Sequence, residues 1–136
     1  MSSRRTGAIA FGLLASLSGC AGDASPALDA VPEGSWGGEH AALQVDASGA
    51  DYELDCAHGR MESPLRLIAE GRFDVVGFYV PEGGPTRESP PQLPARFAGS
   101  SDGARLTFSI TLRDTGQTIG PFTVVRAQPP RLVKCL

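Results

Sequence analysis

Histidine is scarce in this chain: of 136 residues, only His40 and His58 carry an imidazole. Three cysteines, two methionines and a single tryptophan are just as sparing. A metal centre needs three or four convergent ligands, which the two histidines and Glu39 barely reach. On one extended strand Glu39 and His40 would also point to opposite faces, so neither a metal nor a cofactor is expected. Basic residues form no cluster beyond Arg5, and 12 Lys and Arg stand against 15 Asp and Glu. That balance leaves nucleic-acid binding without its electrostatic footprint, and the mild acidity serves solubility. After residue 17 no apolar run approaches membrane-spanning length, no repeat recurs, and helical periodicity is absent.

What is present starts at the N-terminus. Arg4 and Arg5 precede an apolar run over residues 8–17 (AIAFGLLASL). At ~1.5 Å per helical residue the run is too short for a ~30 Å hydrocarbon core, but it has the length of a signal h-region. It closes on Leu17-Ser18-Gly19-Cys20, which resembles the lipobox of bacterial lipoproteins. The resemblance implies diacylglyceryl transfer to the Cys20 thiol, cleavage before Cys20, and acylation of the new amine by a chain such as palmitate. Residues 1–19 would then be a signal peptide, and the exported protein would sit on a membrane through its Cys20 lipid without spanning it. A secretory signal with a chance cysteine is the alternative. Alanine at position 21, by analogy with enterobacterial sorting, favours the outer membrane, facing the periplasm or the exterior.

With Cys20 lipidated, Cys56 and Cys135 remain as a pair in an oxidising compartment, where disulfides persist. They are too far apart for a C-x2-C metal motif. Bridging them closes most of the domain into one loop, which chain entropy values at about 4–5 kcal/mol. Two free thiols is the other option.

Residues 20–33 are small, polar and proline-containing, and read as a flexible, lipid-anchored tether. From residue 34 to 136 apolar and polar residues alternate between Gly- and Pro-rich turns, the signature of an antiparallel β-domain. The expected strands are 38–46, 51–58, 64–68, 72–80, 94–100, 104–113 and 117–126, with 131–135 as an eighth. A turn at Ser48-Gly49 would set Val45 opposite Tyr52, Leu43 opposite Leu54 and Ala41 opposite Cys56. A loop at Ala69-Glu70-Gly71 would set Leu67 opposite Phe73 and Leu65 opposite Val75. A turn at Asp102-Gly103 would set Phe108 opposite Phe97, and a loop at Asp114-Thr115-Gly116 would set Phe122 against Phe108 and Val124 against Leu106. These registers place Leu43, Val45, Tyr52, Leu54, Leu65, Leu67, Phe73, Val75, Phe97, Leu106, Phe108, Ile110, Phe122 and Val124 on one inward face.

The fold class this predicts is all-β: a small antiparallel up-and-down barrel, or barrel-like sandwich, of about seven or eight strands closed by one disulfide. Gly34-Ser35-Trp36 resembles the G-x-W start of lipocalins and related calycin barrels, in which the tryptophan plugs the closed end. A core aromatic is the plainer account of Trp36. Ser48-Gly49-Ala50-Asp51-Tyr52 is similar to the S-G-x-x-Y string of periplasmic lipoprotein inhibitors of C-type lysozyme, without that family's lysine motif. The whole also resembles the small uncharacterised lipoproteins that bacteria export.

For chemistry, the Ser48-Gly49 register sets Glu39 opposite His58. Such a pair at a barrel mouth can orient a ligand or move a proton, and equally serves as a cross-strand ion pair. No nucleophile accompanies it, so no catalytic residue is assigned. Residues 81–93 (PEGGPTRESPPQL) form the longest connection, expected to border an opening into the barrel. Val76, Phe78 and Val80 leave one strand apolar on its outer face, to be covered by a neighbouring segment or a partner. The expected function is a lipid-anchored envelope module that binds a small apolar ligand or an envelope protein without catalysis. The alternatives are an envelope enzyme using Glu39 and His58, and a structural or inhibitor lipoprotein.

Overall fold

A computed structural model describes residues 28–85 and 89–135, together with Gly7 and Gly12. Cys20 and most of the expected signal peptide lie outside the described residues. Eight strands follow in chain order: β1 (Gly34–Gly38), β2 (Ala41–Asp46), β3 (Gly49–Leu54), β4 (Ala57–Met61), β5 (Arg72–Pro81), β6 (Leu93–Ser101), β7 (Arg105–Leu112) and β8 (Thr118–Arg126). Each pairs antiparallel with the next, and β8 returns to β1, so the sheet closes as an up-and-down barrel.

Two expected strands are each divided by a tight turn. The 38–46 strand breaks at Glu39-His40, where His40 takes a left-handed φ of 66°. The 51–58 strand breaks at Asp55-Cys56. In both cases the inward set changes parity, from Trp36 to Ala41 and Leu43, and from Tyr52 and Leu54 to Ala57 and Met61. Period-two alternation cannot survive such a change within one strand. The other two corrections concern 64–68 and 131–135, which are not barrel strands. Beside β5 the place of 64–68 is taken by β4, and the ring is completed by β1.

Two hairpins slip by two residues from the expected register. In the first, Ala47 and Ser48 form the turn, so Leu43 faces Tyr52 and Ala41 faces Leu54. In the second, Gly103 and Ala104 form it, so Phe97 faces Ile110 and Gly99 faces Phe108. One cause accounts for both: an aspartate opens each turn and caps it. Asp46 Oδ1 accepts from Ser48 N–H (2.8 Å), and Asp102 Oδ1 accepts from Ala104 N–H (2.9 Å) and Arg105 N–H (2.8 Å). Such Asx turns set the hairpin from the aspartate, not from the glycine. A slip of two keeps every side chain on its face. The β7–β8 hairpin holds the expected pairs Phe108–Phe122 and Leu106–Val124. A bulge at Gly120-Pro121 then shifts Ile119 opposite Ile110. After the 69–71 loop only the first rung forms, Ile68 with Arg72.

The barrel is solid. Of the fourteen expected inward residues, twelve are buried, and Leu67 and Phe122 pack against them partly exposed. Trp36, Ala41, Ala50, Ala57, Met61, Ala95 and Leu112 fill the remaining interior. Trp36 donates its indole N–H to Pro32 O (3.1 Å), and Tyr52 meets Phe97 edge-on at 5.2 Å. Gly59, across from Tyr52, makes room for its ring: a Cβ there would lie 2.8 Å from Tyr52 Cζ. The phenol hydroxyl donates to Phe78 O at 2.9 Å, and burial pushes its pKa well above the usual tyrosine value.

One end of the barrel is stopped by residues 28–31 lying antiparallel to residues 65–68. Val31 N–H donates to Leu65 O and Leu67 N–H to Asp29 O, both at 2.9 Å. Val31 and Leu65 are buried in the core. The folded domain therefore begins before Gly34, and residues 28–33, read above as the end of the tether, belong to it.

Candidate functional site

At the opposite end the chain's last residues shape the surface. From Ala127 the segment leaves β8, runs parallel to β1 on the outside of the barrel, and ends at the β3–β4 turn. Ala127 N–H donates to Ser35 O (2.7 Å), Arg131 N–H to Gly38 O (3.0 Å), and His40 N–H to Arg131 O (2.8 Å). Cys135 is bonded to Cys56 across 79 residues, with Cα atoms 5.1 Å apart, as expected from the cysteine count. This strap passes directly over Gly37, where a Cβ would come within 2.6 Å of Pro130 N.

Asp55 is the hub that holds the strap down. Its Oδ1 accepts from Val133 N–H (2.8 Å), its Oδ2 accepts from His40 Nδ1 (2.6 Å), and its carbonyl accepts from Cys135 N–H (3.0 Å). The backbone hydrogen bond from Val133, reinforced by His40, holds the Asp55 carboxyl below the usual carboxylate range. Lys134 reaches back to Leu54 O (2.8 Å), Glu82 (2.7 Å) and Glu53 (3.2 Å). Partial burial opposes its charge, but the two carboxylates outweigh it and raise the ammonium's pKa.

Three concavities surround this strap, and none is the barrel interior. The largest, of about 640 Å3, lies on the outer face of β1–β4 with Pro129 and Pro130 as its wall. Ser35, Ala42, Gln44, Asp51, Glu53 and His58 form its floor. His58 also lines a second hollow of about 470 Å3, which continues past it beneath Pro81–Pro85 and Pro90-Pro91, with Val80 and Cys135. The third, of about 350 Å3, is an apolar cup at the barrel's rim formed by Leu54, Ala57, Tyr79, Ile119 and Phe122, with His40 and Asp55 on its edge. Burial, then the charge of Glu82, raises the Tyr79 pKa.

Glu39 and His58 are not brought together. The two-residue register slip and the break at His40 place Glu39 beside Arg131 (3.4 Å), whereas His58 pairs across strands with Glu53 and Val80. His58 Nδ1 stands 3.7 Å from Glu82, beyond hydrogen-bond length. Among the described residues of the long connection, 81–85 and 90–91 line an outer-face hollow with the buried Val80 and not the expected opening into the barrel, and Val76 stays exposed. The S-G-x-x-Y string is largely consumed by structure: Ser48 Oγ bonds Asp46 and Arg60, and Tyr52 is buried. No cluster of metal-ligating side chains occurs among the described residues.

The residues that sequence reasoning missed are Asp55 and Lys134, together with the pairing of Asp55 to His40, a residue read above only as a metal ligand. The signal for Asp55 and Lys134 was the disulfide itself. Once Cys56 and Cys135 are bonded, their neighbours Asp55 and Lys134 must meet at the same turn. The His40–Asp55 pair has the form of an oriented imidazole that can hydrogen-bond a group seated in the cup; among the described residues no serine or free thiol lines the cup beside it. Comparisons with family profiles, curated proteins and solved structures return no match for this chain.

Proposed function

We propose that this protein is a lipid-anchored module of the cell envelope that binds an extended segment of a partner protein without catalysis. The observation that carries the reading is where the space lies. Tryptophan, tyrosine and phenylalanine fill the barrel, so a lipocalin-like carrier of an enclosed ligand is disfavoured, while a groove of about 640 Å3 runs outside it beside the strap. A closed sheet offers no edge for strand addition, so recognition falls to side chains. Gln44, Glu53 and His58 project into the groove and supply hydrogen bonds, and proline-rich walls supply pre-ordered apolar contact at low entropic cost. Lipidation at Cys20 supplies the location.

A photo-crosslinking residue at Gln44, in the full chain expressed in its membrane, tests this. The expected result is one defined protein adduct, absent when the same residue replaces Thr107 on the far wall. No adduct, or the same adducts from both positions, overturns it.

The rim cup supports a second reading, a small apolar ligand seated on Ile119 and Phe122 and oriented by His40. Native mass spectrometry of the protein extracted from membranes separates the two: a retained small molecule, lost in Phe122→Ser, favours the cup.

A further inference from the structure

The stopped end of the barrel presents a partly exposed apolar surface, on which Leu28 rests one side of its chain against Gly103 of the β6–β7 turn. Ala30 bridges Arg66 antiparallel, so continuing the register sets Leu28 across from Ile68. Facing residues of an antiparallel pair project to one side, which gives this short ribbon two unlike faces. Val31 and Leu65 turn inward and stop the barrel. Leu28 and Ile68 turn outward, 44 % and 60 % exposed, with the facing pair Ala30 and Arg66 beside them on the same face.

We infer that this outward face is a membrane-contact patch, which seats the protein on the bilayer with its stopped end down and its strap, disulfide and grooves facing away. The inference rests on the reading of Cys20 as the acylated residue. Leu28 is the eighth residue after Cys20, and eight Cα steps reach ~30 Å at most even when fully extended. The ribbon is therefore held within ~30 Å of the bilayer surface. Two aliphatic side chains enter the interface there, and Arg66 lies along them with its guanidinium among phosphates. Neither side chain would hold a free protein on a membrane. Tethering makes the contact intramolecular, so a weak patch is enough to set orientation. Exposed Asp29 and Glu70 flank the patch and oppose an anionic surface, which makes a zwitterionic phospholipid face the fitting partner.

The test uses the full precursor, processed in a bacterium, purified in detergent and reconstituted into phosphatidylcholine vesicles carrying a headgroup-region quencher. Acylated Cys20 and bonded Cys56 and Cys135 leave an introduced cysteine as the one reactive thiol, so Ile68→Cys and Val133→Cys each take a single fluorophore. Both sites are exposed, and circular dichroism checks that the fold persists. The expected result is several-fold stronger quenching at position 68 than at 133, diminished by Leu28→Glu. Equal quenching at the two positions in protein whose N-terminal mass shows acylated Cys20 overturns the patch and leaves the anchor standing. An N-terminal mass without acyl groups overturns the anchor and the patch with it. A position-68 photo-crosslink to a protein in native membranes, without lipid quenching, also overturns it.

Discussion

Asp46 and Asp102 do at two hairpins what glycine was expected to do, and their chemistry makes the hairpins pH-sensitive. At Asp46 the Ser48 hydroxyl and backbone N–H, then Arg60, lower the carboxyl pKa from 3.8 to about 2. A carboxyl with a depressed folded-state pKa stabilises the fold fully above its unfolded value and loses that contribution as pH falls through the folded value. The Asp46 contribution should therefore be intact above about pH 4 and fade toward pH 2. Urea midpoints measured from pH 2 to 6 should fall less steeply for Asp46→Asn, which caps the turn without titrating. Deeper in the barrel Phe108, 1 % exposed, leans on Phe122 with ring centroids 5.5 Å apart. Phe108→Ala should cost about 3–5 kcal/mol in chemical unfolding, the range for truncating a buried phenylalanine.

Strands with intact alternation were readable from the chain: β5, β6, β7 and β8 appear within a residue or two of where the pattern placed them. The pattern failed where two short strands abut without a polar loop between them, as at His40 and at Asp55-Cys56. A two-residue break there costs no hydrophobic residue, so composition conceals it, and only the change of parity betrays it. The strap was half legible. Its cysteine announced that it returns, but a segment tied by side chains and single bridges has no periodicity to read. The groove beside it was invisible for the same reason, since outward residues of a strand carry no mark of what passes over them. The disulfide makes the strap testable. Cys135→Ser should lower unfolding stability by up to about 4–5 kcal/mol, the chain-entropy value for so long a loop.

The ring is unevenly closed. β5 and β6 share eight rungs, whereas β1 and β8 share two, Trp36 with Arg126 and Gly37 with Val125. Strap hydrogen bonds to Ser35, Gly38 and His40 lie across that weak join. Hydrogen exchange should therefore be fastest among strand amides at β1 and β8, and reducing the disulfide should accelerate it there well before β5–β6 responds. Equal acceleration in both regions would mean that the bond acts on the whole fold and not on the join. Such an arrangement matters for crowding. Under the proposed anchoring at Cys20, copies held on one membrane surface would meet at high local density, the condition under which an open sheet recruits its neighbours into a shared ladder. A sheet that ends on itself, with its one weak join strapped over, gives an adjacent copy no template to extend.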